Sequence, residues 1–190
     1  MQRSIIRPAV ARTLLACVLM LTSSLVCGEG RPGLDADIHE AIKVLKENNP
    51  TAAALASKAR GALVFPNITK AGFIVGALYG NGALVKPKQG GGYYIDEYYN
   101  MSAASYGLQA GIQSFGYVLI LMTDAAVENV ETSSGWDLGI GPSIVVVDSG
   151  VAKTLTLDTA KADVYALTFG QKGLMAGLGL QGSKVTRLSK

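Results

Sequence analysis

Glycine recurs on one face of three apolar, strand-like segments, and this spacing restricts the fold more than any other feature of the sequence. The segments are residues 72–80, 107–113 and 173–181, and in each the opposite face carries mostly apolar side chains. Glycine weakens a strand unless another group packs close to its backbone or the sheet bends there. The pattern therefore predicts a strongly curved antiparallel sheet, or a helix laid tightly across a sheet.

One glycine segment, Gly-Leu-Gly-Leu-Gln-Gly at 177–182, also matches the G-x-G-x-x-G spacing of dinucleotide-binding loops. That spacing has meaning only between a strand and a helix, with an acidic residue about 20 positions further on. Only eight residues follow Gly182, which leaves no room for the crossover helix, the next strand or the acid. We therefore expect a structural role for these glycines and no cofactor.

The first 27 residues have the pattern of a secretory signal peptide. Three arginines precede a short apolar core that ends in small residues near Cys27. We expect residues 1–27 to be removed and residues 28–190 to form one domain in the periplasm or cell envelope. A retained membrane anchor is the alternative. Cys27 is a weak lipidation candidate, because the residues before it fit a lipoprotein signal poorly, and its modification would leave the protein lipid-anchored.

The charge and the scarcity of reactive side chains exclude several functions. Without residues 1–27 the chain has 14 basic and 14 acidic residues, whereas nucleic-acid binding depends on a basic surplus. Both cysteines lie at or before the cleavage region, so the domain has no disulfide. His39 is the only histidine, which is too few for a catalytic triad or a zinc site. We expect no nucleic-acid partner, no metal and no enzymatic activity.

The N-terminal part of the domain has the pattern of two helices. In residues 34–49 the apolar side chains recur at helical spacing on one face. Asn49 and Pro50 begin a second, alanine-rich helix that ends near Gly61. The first helix has a net charge of about −2, which disfavours contact with anionic lipid. We therefore expect it to pack on the sheet.

After Gly61 the apolar period changes to two, interrupted by a short helix at 124–132 that Asp124 caps. Asn81-Gly82 is the strongest hairpin signal, because both residues take positive φ readily. These features predict an α+β fold. Its N-terminal helices pack on a strongly curved, barrel-like antiparallel sheet of about six or more strands.

Four segments of the chain resemble the SYLF domain family: KARGALVFPNITKAGFIVGALYGNGALV, SYGLQAGIQSFGYVLILMTDAAVENV, WDLGIGPSI and YALTFGQKGLMAGLGLQGS. The resemblance covers about residues 38–188, and its most specific parts are the opening Lys-Ala-Arg-Gly and the closing Lys-Gly-Leu. The family occurs in bacterial exported proteins and in eukaryotic membrane-trafficking and actin-patch proteins. It implies binding of phosphatidylinositol phosphates or other anionic lipids, and no catalytic residues.

Six basic residues are candidate ligands for a lipid head group, because they bracket the first strand or flank the last one: Lys58, Arg60, Lys70, Lys172, Lys184 and Arg187. If these two strands are neighbours, the side chains form one patch able to hold phosphate groups. Scattered, solvated charge is the alternative.

The sequence as a whole predicts an exported, non-enzymatic, envelope-associated domain that binds anionic lipid or a membrane surface. A second reading keeps the same fold and compartment. It is a periplasmic scaffold or protein-interaction domain that binds an envelope protein and has no lipid ligand.

Overall fold

The computed structural model describes residues 31–73, 75–106, 111–147, 155, 157, 159–173 and 182–188. The predicted signal peptide, including Cys27, and most of the glycine segment at 173–181 lie outside the described residues. The helices of the described part are α1 (Arg31–Asn48), α2 (Pro50–Ala56) and α3 (Asp124–Thr132). Its strands are β1 (Gly61–Gly72), β2 (Val75–Pro87), β3 (Tyr93–Tyr106), β4 (Gly111–Leu121), β5 (Trp136–Asp137), β6 (Ile144–Val146), β7 (Val164–Gly173) and β8 (Lys184–Arg187).

The eight strands form one curled sheet in the order β5-β8-β3-β2-β1-β4-β7-β6. The four long central strands are antiparallel to their neighbours, as predicted. At one edge, however, β6 runs parallel to β7, so the sheet is mixed and the expectation of a wholly antiparallel sheet is wrong there. The segment between Val146 and Val164 is long enough for the crossover that a parallel pair requires.

Helices α1 and α2 form where the sequence predicts them and pack on one face of the sheet. The side chain of Asn49 accepts a hydrogen bond from the Ala52 N–H at 2.9 Å and caps α2. Ile38 and Leu45 of α1 and Leu55 of α2 are buried in one hydrophobic cluster with side chains of β1, β2, β4 and β7. The acidic first helix is therefore a core element. No helix in the described part of the chain is both long and apolar enough to span a bilayer.

The other face of the sheet is covered by α3 and by Trp136. Val127 and Val130 of α3 share a second hydrophobic cluster with Trp136 and with side chains of the central strands. Thr123, and not the predicted Asp124, caps this helix, because the Thr123 hydroxyl accepts from the Ala126 N–H at 3.2 Å. The sheet thus has a hydrophobic core on both faces.

Close packing, and not a turn, accounts for Asn81-Gly82. The pair lies inside β2, and the β1–β2 turn falls between Gly72 and Val75, so the predicted hairpin position is wrong. A Cβ on Gly82 would overlap the Val64 carbonyl oxygen and the Phe65 ring. A Cβ on Gly80 would lie 2.8 Å from the Asn67 oxygen. The prediction that the recurring glycines admit close neighbours is confirmed at Gly80, and Gly82, which lies outside the predicted segments, is packed in the same way.

Candidate functional site

Two of the six predicted head-group ligands, Lys172 and Lys184, lie in one row across the sheet. Directly opposed residues on antiparallel strands project from the same face. The strand register defines what we call the lysine row, which consists of Lys172, Ser114, Thr69, Tyr79, Ser102 and Lys184. The row crosses six strands, so its two exposed lysines are about 24 Å apart along the sheet.

Beyond the lysine row the same face is apolar and exposed. A second row lies two residues further along the strands, about 7 Å away, and consists of Ile112, Ala71, Ala77 and Ala104. Phe73 and Val75, on either side of the β1–β2 turn, extend this surface. The exposed fractions are 70% for Phe73, 64% for Val75, 69% for Ile112 and 57% for Tyr79. We call the second row, Phe73 and Val75 the apolar end.

Two acidic side chains of α1 make the surroundings of one end of the lysine row less positive. Asp37 and Glu40 of α1 line a cleft of about 430 Å³ between the helix and the sheet, and Lys172 lines the same cleft. Because they share this cleft, the two carboxylates reduce the positive potential around Lys172. Lys184 lies at the other end of the row, where it pairs directly with Asp137 of β5, so a carboxylate opposes this lysine as well.

Lys58 and Arg60 lie at the opposite end of β1 from the apolar end. The Arg60 N–H donates to the Leu121 carbonyl at 2.8 Å, and its Nε lies 3.5 Å from Oδ1 of Asp124. Eight residues of strand separate Gly61 from Thr69 of the lysine row, a length of about 26 Å. The structure therefore does not bring Lys58 and Arg60 together with Lys172 and Lys184.

Lys70 is on the other face of the sheet from the lysine row. It pairs with Gln113, and both side chains are buried, Lys70 with an exposed fraction of 6%. Its neighbour Thr69 projects from the lysine-row face, because successive strand residues point to opposite faces. Lys70 is therefore not an exposed member of a head-group patch in this conformation.

Arg187 is engaged in an ion network on the α3 side of the sheet. Its Nε lies 2.7 Å from Oε2 of Glu97, and its guanidinium also donates to the Glu131 carbonyl. The Lys86 ammonium lies 2.9 Å from Asp96 and contacts the Glu131 carboxylate. The hydrogen bonds with Asp96 and Glu131 raise the pKa of Lys86. This network ties α3 to three strands and occupies the Arg187 side chain.

The six predicted residues are thus distributed over separate surfaces. β1 pairs with β2 and β4, so neither β7 nor β8, which carry Lys172, Lys184 and Arg187, is its neighbour. The apolar end was missed from the sequence. Its signal is the run of Phe73, Val75, Ala77 and Tyr79 on the face opposite the glycines. The hairpin assigned to Asn81-Gly82 placed Phe73 and Val75 within a strand, whereas they flank the β1–β2 turn.

The described residues show no grouping of the usual catalytic or metal-binding kind. His39 is exposed, and its Nδ1 lies 2.7 Å from the Asp35 carbonyl oxygen. No cluster of three or more His, Cys, Asp or Glu side chains in the described ranges is suited to a metal ion. The Tyr117 phenol is buried without a hydrogen-bond partner, and burial raises its pKa. The exposed lysine row and apolar end are the features suited to contact with another molecule.

Fold and surface together define a small α+β domain with an exposed apolar edge next to basic side chains. Residues 102–190 match the family model of Ysc84, described as a Las17-binding protein actin regulator. The chain is 28% identical over 162 residues to human SH3 domain-containing YSC84-like protein 1, in an alignment that covers 79% of this chain and 46% of the human protein. The protein of the same name from Xenopus laevis is 29% identical over 163 residues, with 79% and 48% covered.

These matches confirm the resemblance to the SYLF family, since the Ysc84 model describes a SYLF domain. The family model begins within β3, whereas the alignments with the relatives extend over most of the chain. The chain spans about half the length of the curated relatives it matches.

Proposed function

We propose that this chain is an exported, non-enzymatic domain that binds the surface of an anionic membrane through the apolar end and the lysine row. The position of the two surfaces carries this proposal. On the same face, Phe73, Val75 and Ile112 lie about 7 Å or more beyond Lys172 and Lys184 in the direction of the strands. Interfacial protein segments bury apolar side chains about 5–10 Å into the boundary between head groups and acyl chains.

The charge of the lysine row fits a weak and reversible contact. A lysine near an anionic membrane contributes about 1 kcal/mol, so Lys172 and Lys184 together contribute about 2 kcal/mol. Asp37 and Glu40 oppose this attraction from the cleft beside Lys172. Because the contribution is electrostatic and exposed, it weakens as salt shortens the screening length.

Resemblance and sequence pattern support the lipid ligand and the compartment. SYLF family members are linked to lipid binding, and residues 1–27 have the order of charged, apolar and small residues that signal peptides share. We propose that the protein acts in the periplasm or cell envelope and that phosphate-bearing head groups are the polar part of its ligand. Intact-mass measurement of protein from the envelope tests the removal of residues 1–27.

Co-sedimentation with vesicles tests the proposed membrane contact. We expect the protein to bind phosphatidylglycerol-containing vesicles and to bind pure phosphatidylcholine vesicles much less. Replacing both Lys172 and Lys184 by Gln removes about 2 kcal/mol, so the affinity falls about 30-fold. The double variant Lys58→Gln/Arg60→Gln removes the same charge at the opposite end of β1 and is the matched control.

Three further variants separate charge from apolar contact. Phe73→Ser weakens vesicle binding at every salt concentration, because it removes an apolar side chain. Replacing Asp37 by Asn and Glu40 by Gln strengthens binding at low salt. If the Lys172/Lys184 variant and the Lys58/Arg60 control lose equal affinity while both stay folded by circular dichroism, this surface does not bind the membrane.

The second candidate is a protein-interaction domain without a lipid ligand. The exposed apolar end favours it as well, since apolar patches on soluble domains also mark protein contacts, and the description of the Ysc84 family names a protein partner. Absence of binding to anionic vesicles at low salt, together with a Phe73-dependent complex with an envelope protein, would establish this alternative.

A further inference from the structure

A cavity lies between the N-terminal helices and the sheet, far from the apolar end. Its volume is about 110 Å³. The floor is formed by small and branched residues of β1 and β4, among them Ala62, Val64 and Ile120, and the roof by α1 and α2. Buried space larger than a few water molecules is uncommon in a close-packed interior, so this cavity is a distinct feature of the fold.

The lining of the cavity is mainly apolar. Ile42 and Leu45 of α1, Ala52 of α2 and Val85 of β2 contribute aliphatic groups. An apolar cavity of about 150 Å³ in another protein stays dry and takes up benzene. The cavity here has a similar, mainly apolar lining, is somewhat smaller and opens to solvent, so a hydrocarbon chain that fills it displaces water from apolar surface.

The mouth of the cavity carries its polar groups. Lys46 of α1 and Tyr93 of β3 both line it. The Lys46 ammonium lies 5.8 Å from the centre of the Tyr93 ring. The centre of the His39 ring lies 5.3 Å from the centre of the same tyrosine ring. Lys46 is exposed, whereas Tyr93 is half-buried, so a positive charge and a phenol stand where an apolar chain would leave the protein.

We propose that this cavity binds the tail of a medium-chain carboxylate, with the head group held at Lys46 and Tyr93. A methylene group fills roughly the volume of a water molecule, about 30 Å³, so the cavity holds about four carbons. An eight-carbon chain then has about four carbons left to pass Tyr93 toward the Lys46 ammonium, which also lines the cavity. The cation at the mouth selects a carboxylate over an amine with the same chain.

This site is independent of the proposed membrane contact. The cavity is lined by the first residues of β1 and the last residues of β2 and β4, whereas the apolar end is at the β1–β2 turn. Binding of a monomeric amphiphile in the absence of vesicles can therefore succeed or fail without any bearing on vesicle binding.

An NMR titration of the purified protein with octanoate, 1-octanol and octylamine tests the site. We expect saturable shifts in the methyl signals of Ile42, Leu45 and Val64 with octanoate, and weaker binding of octylamine. Lys46→Gln weakens octanoate binding about two- to fivefold, the range for an exposed charge pair, and leaves octanol unchanged. Lys43→Gln, one turn earlier on α1 and outside the lining, is the matched control and retains the parent affinity.

Filling the cavity provides the second arm. Ala52→Leu occupies the space and lowers the affinity for all three compounds more than tenfold. If this variant does not fold, Ala62→Val fills the cavity with a smaller added side chain and serves the same test. Two results would overturn the proposal. One is the absence of saturable methyl shifts with octanoate up to its solubility limit, and the other is equal octanoate affinity in the Lys46 and Lys43 variants.

Discussion

The two ends of one sheet face have the same alternating strand pattern but opposite surroundings. At the end near Gly61, α1 and α2 cover the strands, and Ile38 of α1 has an exposed fraction of 0%. At the end near the β1–β2 turn, Ile112 of β4 has an exposed fraction of 69%. An 18-residue helix is about 27 Å long, whereas the 13 residues of β2 extend for about 43 Å. A helix of this length leaves part of such strands uncovered in any orientation.

Apolar side chains therefore have different roles at the two ends of this face. Near α1 an apolar side chain contributes to folding, because it leaves water when the chain folds. At the apolar end it remains in water after folding and is available for a second molecule. Substitutions at the two ends should therefore separate stability from binding.

The largest difference is expected between two isoleucines. Ile38→Ala lowers the free energy of unfolding by about 3 kcal/mol, because it empties a fully buried position. Ile112→Ala changes it by no more than about 0.5 kcal/mol, since the side chain is mostly exposed. Urea denaturation followed by circular dichroism measures both. Equal losses would mean that Ile112 is covered in solution, and the contrast between the ends would disappear.

A smaller loss is expected from Gly82→Ala in the covered half of β2. The new methyl group overlaps the Val64 carbonyl and the Phe65 ring, and overpacking of this kind costs about 2 kcal/mol. Val75→Ala in the same strand, at the apolar end, is the control and leaves the unfolding midpoint close to that of the parent. A parent-like midpoint for Gly82→Ala would show that β1 and β2 separate easily at this glycine.

Acid should weaken the covered end through Asp163, which precedes β7. Its carboxylate accepts hydrogen bonds from the Ser143 hydroxyl at 2.7 Å and the Ser143 N–H at 3.0 Å. These bonds lower the pKa of Asp163 in the folded state. The stabilisation is therefore present above the unfolded-state pKa and is lost as the pH falls through the lower, folded-state pKa.

Asp163→Asn tests this contribution by unfolding at two pH values. Near neutral pH the variant is less stable than the parent by about 1 kcal/mol, the usual size for an exposed charge-assisted hydrogen bond. As the pH falls through the lowered, folded-state pKa of Asp163 the two proteins converge, because the parent carboxylate becomes protonated. A difference that stays constant with pH would mean that the charge of Asp163 is irrelevant to stability.

The smallest effect on stability is expected from Phe73→Ser at the β1–β2 turn. The ring is 70% exposed, so the free energy of unfolding changes by at most about 0.5 kcal/mol. Vesicle binding nevertheless weakens. A thermal melt and a co-sedimentation assay on the same sample measure both quantities, and a variant that melts well below the parent would assign Phe73 to the core instead.

The elements with a strong local signal could be predicted from the sequence. The apolar spacing of α1 identifies both the helix and its buried face, and Ile38 and Leu45 are buried as expected. Asn49 and Pro50 mark the start of α2 by their own chemistry. The parallel pairing of β6 with β7 could not be predicted, because it depends on the path of the chain between them and not on the three residues of β6.

The candidate site was less predictable because strand bulges change which side chains share a face. The register of β1 shifts between Phe65 and Ile68, and both of these residues are in the α3-side core. If the alternation continued from Phe65 without a shift, Lys70 would lie on the face opposite Phe65. The shift instead places Lys70 on the same, α3-side face as Phe65 and Thr69 on the exposed lysine-row face. The common row of Lys172 and Lys184 further depends on the register of four intervening strands.

The pairing of β8 with β3 has a consequence for the order in which the sheet is completed. β1, β2 and β3 follow one another along the chain with short connections and pair in that order, so their pairing is local and should be fast. β8 joins the outer edge of β3 only after nearly half of the chain has followed. Until then β3 presents free backbone N–H and carbonyl groups, a template on which a second chain can add a strand. During synthesis, self-association therefore competes with the arrival of Lys184–Arg187 at this edge.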